Sequence, residues 1–178
     1  MSKEWSCRIA ENRPIQAFFR QLTERGMGHL NLRDPDTIEY ITNLLTEFIQ
    51  IENMYRIKDE SGQLQYLFET LTQTGGHMSP SIRRDRYKHL GDLTLFNLGL
   101  FPESLTYGHY TVSPRYYAET GKRSYTIVAE MDSSRCTRGI FHTLSEQFEQ
   151  CVSGLNWVKA YINDPFYQYM LRQFNGSG

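Results

Sequence analysis

The chain has 178 residues, which suits one domain with a sizeable core and is short for two. Its 19 lysines and arginines stand against 20 acidic residues for a formal net charge of -1, which argues against a protein whose main partner is a nucleic-acid backbone. The longest strongly apolar run, Leu93 to Phe101, is interrupted by Thr94, Asn97 and Gly99 and falls far short of the roughly 20 residues a membrane span needs.

The N-terminal MSKEWSCRIAENRP lacks the continuous apolar core of a secretory signal, so a cytoplasmic protein is expected. Cys7, Cys136 and Cys151 are too few and too scattered for a disulfide framework or a cysteine-rich zinc site. A capping residue followed by proline recurs at Asp34-Pro35, Ser79-Pro80, Ser113-Pro114 and Asp164-Pro165, and each pair predicts a helix start. Asn12-Arg13-Pro14 offers a further start one residue later.

Taken in chain order, Ile15, Phe18, Phe19 and Leu22 predict a first amphipathic helix. Ile38, Ile41, Leu45, Phe48, Ile51 and Tyr55 predict a second. Leu64, Leu67, Phe68 and Leu71 follow as a shorter segment closed by Gly75-Gly76. The next helix, from Pro80, is apolar around most of its circumference. Its Gly91 and Gly99 predict a close crossing with the helix begun at Ser113-Pro114, small residues there meeting Thr120, Gly121 and Ser124. The cleanest stripe, from Ile140 through Phe141, Leu144, Phe148, Cys151, Val152 and Leu155, predicts one helix continuing past a bend at Gly154 to Val158 and Tyr161. The expected fold is all-α, a single-domain bundle of six or seven helices over residues 1–174. Residues 175–178 are read as a flexible end or an expression remnant.

Within the helix from Pro80, Asp85, His89 and Asp92 are spaced so that a carboxylate, an imidazole and a carboxylate project from one side. Such a trio could hold a divalent metal with help from a second helix, or raise the basicity of His89; equally, Asp92 could pair with Lys88 or a tyrosine hydroxyl and His89 be a hydrogen-bonded core histidine. The spacing alone makes no metal a confident assignment, and no cofactor is strongly implied. Arg83, Arg84, Arg86 and Lys88 crowd the start of this helix, where cations oppose the macrodipole and call for compensation from an anionic ligand, a partner or the Asp59-Glu60 loop. His142 and Glu146 form a second i, i+4 pair, read as surface support.

The segment also resembles a stretch of uncharacterised bacterial all-helical proteins, Y-x-H-L-G-D-x-x-L-F-x-x-G-L-F-P-E, here Tyr87 to Glu103. A Y-Y-x-x-x-G-x-x-x-Y element follows, here Tyr116, Tyr117, Gly121 and Tyr125. The resemblance covers under half the chain and brings no activity with it; it implies only that the two helices act as a unit. In a ligand-binding reading, Tyr116, Tyr117 or Tyr125 would stand opposite His89 and Asp92. At the C-terminus, Phe166, Tyr167, Tyr169, Met170, Leu171 and Phe174 crowd nine residues with more apolar surface than one short helix face hides, which suits a groove of this chain, another copy or a partner. The expected function is a non-enzymatic helical protein-interaction or self-assembly module. The alternative is a metal- or small-ligand-dependent bundle protein, an enzyme among the options, using the His89/Asp92 region.

Overall fold

The computed structural model describes residues 14–49, 78–102, 113–163, 165 and 169, and the statements below concern these. They form six helices and no strand: α1 (Pro14–Gly28), α2 (Pro35–Ile49), α3 (Pro80–Leu100), α4 (Pro114–Met131), α5 (Arg135–Glu146) and α6 (Phe148–Ile162). The all-α bundle expected from the sequence is the fold found.

The capping pairs act as their chemistry dictates. Asp34 Oδ2 accepts from Thr37 N at 3.0 Å and from the Thr37 hydroxyl at 2.5 Å, opening α2. Ser79 Oγ accepts from Ile82 N and Ser113 Oγ from Tyr116 N, opening α3 and α4, each with proline at a position whose N–H would have had no partner. α1 ends on a tight turn in which Asn31 takes a left-handed φ of 59°, a conformation asparagine tolerates better than most residues.

α3 organises the bundle. Its first half is largely exposed, whereas every residue from Leu90 to Leu100 is buried, with α4 against one side and α6 against another. α1 packs on α2 and α6, and α5 on α4. A large side chain such as Phe96 or Phe148, fully buried here, contributes roughly 1.5–3 kcal/mol by leaving water.

Two packing expectations need correction. The glycines of α3 and α4 mainly admit large side chains; of the expected small-residue contacts, Gly121 does lie against Thr94 of α3, a Cβ there standing 3.2 Å from the threonine methyl. A Cβ on Gly91 would stand 2.7 Å from the Tyr125 ring, one on Gly99 2.5 Å from Leu155, and one on Gly121 2.5 Å from the Phe148 ring. These are sockets for rings and branched side chains. The close backbone crossing lies instead between α1 and α6, where a Cβ on Gly26 would stand 2.6 Å from the Gly154 carbonyl oxygen and Gly154 faces Met27. Nor does the C-terminal stripe bend at Gly154. It breaks at Gln147, whose φ of -109° and ψ of 29° leave the helical region, and α5 and α6 are separate helices. Gly154 sits inside α6 because α1 presses on it.

The short segment from Leu64 to Leu71, the Asp59-Glu60 loop and the aromatic run Phe166, Tyr167, Met170, Leu171 and Phe174 lie outside the described residues. Tyr169, within that run, is exposed.

Candidate functional site

The residues the sequence singles out divide into two groups. Asp92 and Tyr125 come together. Asp85, His89 and Tyr116 are exposed, and Tyr117 is half-buried beside Tyr116 with ring centroids 6.5 Å apart. Three residues of α-helix leave about 60° between His89 and Asp92 around the axis, and this stretch is where α3 enters the core. One side chain therefore faces solvent and the other the interior, so His89 is not a core histidine.

Asp92, only 3 % exposed, is the centre of a polar knot. Its Oδ1 accepts from Tyr40 OH at 2.6 Å and from Tyr125 OH at 2.8 Å, and its Oδ2 accepts from Lys88 Nζ at 2.7 Å. Burial, followed by the Asp92 charge, pushes both tyrosine hydroxyls well above their ordinary 10.0, so they remain donors. Lys88 also lies 5.3 Å from the Tyr40 ring centroid. The knot ties α2, α3 and α4 together around Phe141 of α5, against which Tyr40 packs edge-on at 5.3 Å. Both carboxylate oxygens of Asp92 are engaged from within the protein, which is the behaviour of a structural clamp.

The basic start of α3 finds its compensation in the same way. Arg84 grips the buried carboxylate of Asp132 through Nε and through Nη2 at 3.0 Å, and Arg138 donates to the Asp132 carbonyl at 2.9 Å. Charge-assisted, two-pronged pairing of this kind raises the Arg84 pKa further. Arg83 lies over the Tyr87 ring. His142 Nδ1 stands 3.4 Å from Glu146 Oε2, both largely exposed, as a surface pair. Among the described residues no cluster of three or more His, Cys, Asp or Glu is arranged to hold a metal ion. Cys151 is buried, and burial first, then Glu149, pushes its thiol up to about 12. Cys136 is disulfide-bonded.

A different surface carries the features of a binding site. A groove of about 660 Å³ is bounded by α1, the turn after it, the start of α2 and Tyr161 of α6. Arg20, Glu24 and Gly28 form one i, i+4 ridge of α1 along it, with Arg25 on the neighbouring ridge and His29 in the turn that follows. Arg20 reaches Glu39 of α2 at 3.7 Å. On the other side Arg25 lies 5.2 Å over the Tyr161 ring, and His29 Nε2 is 3.1 Å from Tyr161 OH. Next to the groove the His29 ring stacks on Trp157, with centroids 4.2 Å apart and planes 20° apart, while Trp157 stays 45 % exposed. Sequence reasoning passed over this site. The available signal was the Arg20, Glu24, Gly28 ridge of α1 and the Trp157/Tyr161 pair, two aromatics at i, i+4 of which the first lies off the buried stripe of α6.

No protein family, curated protein or solved structure matches this chain, so the site is read from its own geometry.

Proposed function

We propose that this chain is a non-enzymatic helical interaction module that binds a partner protein through the groove between α1, α2 and α6. The observation that carries the reading is Trp157, an indole left nearly half exposed yet held flat against His29 beside an arginine-lined groove. Tryptophan, tyrosine and arginine are the side chains that dominate binding energy at protein interfaces, and a pre-stacked indole loses little freedom when covered. Self-assembly remains part of the proposal as the case in which the partner is a second copy. Among the described residues no helix is long and apolar enough to cross a membrane, and the disulfide-bonded Cys136 favours an oxidising setting over the cytoplasmic one expected from the sequence.

The alternative centred on His89 and Asp92, with a metal or small ligand, finds no support in a carboxylate already engaged by three donors and an imidazole turned to solvent. The test is light scattering on the eluting protein together with capture of partners from the source cells, with the parent chain and Trp157→Ala compared. The proposal expects an association that the variant loses at an unchanged melting temperature. A chain that stays monomeric, with any captured partner retained by Trp157→Ala, refutes it.

A further inference from the structure

We propose that the groove is the seat of the chain's own C-terminal segment, Phe166 to Phe174, whose apolar face lies in it and must be displaced for the partner to bind. The displacement rests on the interaction reading above; the seat does not.

Position is the first reason. Tyr161 lines the groove, and α6 ends one residue later at Ile162. His29 meets Trp157 while Arg25 meets Tyr161, so α1 and α6 run antiparallel here, and α6 delivers the chain beside the Arg20 end of the groove. Pro165 is helical again. Only Asn163 and Asp164 lie between, a link of the length that folds one helix back against its neighbours.

Pattern is the second. Pro165 and Tyr169 are both helical, and at about 100° per residue Phe166, Tyr167, Met170, Leu171 and Phe174 fall on one arc of about 140°, opposite Gln168, Tyr169, Arg172 and Gln173. Tyr169 is 60 % exposed, in keeping with its place on the polar arc. A helix this short is marginal alone and is ordered by burying its apolar face.

Size and tether agree. From Pro165 to Phe174 a helix spans about 15 Å, against about 12 Å of α1 from Arg20 to Gly28. A groove of about 660 Å³ takes the side chains of one helix face, and Leu32, Ile38 and Tyr161 give it an apolar floor. The short link holds the segment at an effective concentration on the order of millimolar, so it prevails over the same segment of a second copy.

The full chain, labelled with ¹³C at its methyl groups, is examined by NMR. Overhauser contacts are expected from the Leu32 and Ile38 methyls to those of Met170 and Leu171, and none crosses between chains in a mixture of labelled and unlabelled protein. Tyr167→Asp, in the middle of the apolar arc, loses these contacts. A synthetic peptide of residues 165–174 then shifts the Leu32 and Ile38 methyls of this variant with an affinity at least about tenfold above that for the parent, whose groove is filled. Gln168→Asp, on the polar arc, behaves as the parent. The proposal is overturned by a parent chain without the contacts, by contacts between chains, or by a peptide that binds Tyr167→Asp no better than the parent. Capture of more partner by Tyr167→Asp than by the parent supports the displacement, and equal capture overturns it. Contacts present with capture indifferent to Trp157 keep the seat and sink the interaction module. Contacts absent with capture dependent on Trp157 sink the seat and keep the module.

Discussion

Replacing Asp92 with alanine removes the acceptor that two buried tyrosine hydroxyls share and the partner of a mostly buried lysine. Each hydroxyl left without an acceptor costs about 1–3 kcal/mol, and breaking one side of a buried charged pair costs about 3–5 kcal/mol in comparable settings. These overlap, since the same carboxylate serves all three donors, so the expected loss is about 3–5 kcal/mol. For a chain of this size that lowers the melting temperature by roughly 6–20 °C. Asp92→Asn keeps an oxygen for the tyrosines and loses the charge, and is expected to cost about 2–3 kcal/mol. Tyr40→Phe and Tyr125→Phe each remove one donor, cost about 1.5 kcal/mol, and combine non-additively because both donate to Oδ1. Urea unfolding followed by far-ultraviolet circular dichroism measures all four. An Asp92→Ala variant within about 0.5 kcal/mol of the parent, or an Asn variant worse than the Ala variant, refutes the clamp.

Gly26→Ala drives a Cβ to 2.6 Å from the Gly154 carbonyl, a backbone atom that cannot rotate away, and is expected to destabilise by about 1–3 kcal/mol despite the helix gain. Gly139→Ala meets nothing within 4 Å on the exposed face of α5 and is expected to stabilise by about 0.5–1 kcal/mol; thermal unfolding of the two variants checks both signs. Stability should also fall in alkali. The unfolded chain releases the protons of Cys151, Tyr40 and Tyr125 near their ordinary 9.0 and 10.0, whereas the folded chain holds them to higher pH. Their contribution is complete below about pH 9 and is lost as the pH rises through the folded values. A melting temperature flat up to about pH 11 contradicts this. In the native chain near neutral pH, Cys151 is expected to resist alkylation and to react on unfolding, which mass spectrometry reads directly.

Much of the fold was legible because its punctuation is local. An oxygen-bearing cap followed by proline marks α2, α3 and α4 without reference to anything distant, and apolar spacing fixes which faces of α1 and α2 turn inward. Partner choice was not legible. Gly91 marks a close approach in any reading, but whether a glycine or the Tyr125 ring fills it depends on helix rotation and axial offset, which spacing does not encode. The break at Gln147 was hidden for a related reason, since the apolar stripe runs across it unbroken and no proline or glycine announces it. The polar trio misled because Asp85 and Asp92 share a strip on a helical wheel, while burial changes along α3 as well as around it. The wheel shows only the second. The groove was missed because Arg25, His29 and Trp157 each look like an ordinary exposed residue until α1 and α6 are packed together.

The account places function at the groove and structure at Asp92, and one comparison tests that division. Complexes captured from the source cells by the parent chain are compared with those captured by Arg33→Glu, Trp157→Ala and His89→Ala, three changes at exposed positions. The account predicts that the first two lose the same partner at unchanged melting temperature, and that His89→Ala keeps it. Loss of the partner in His89→Ala, with full retention in both groove variants, would contradict it.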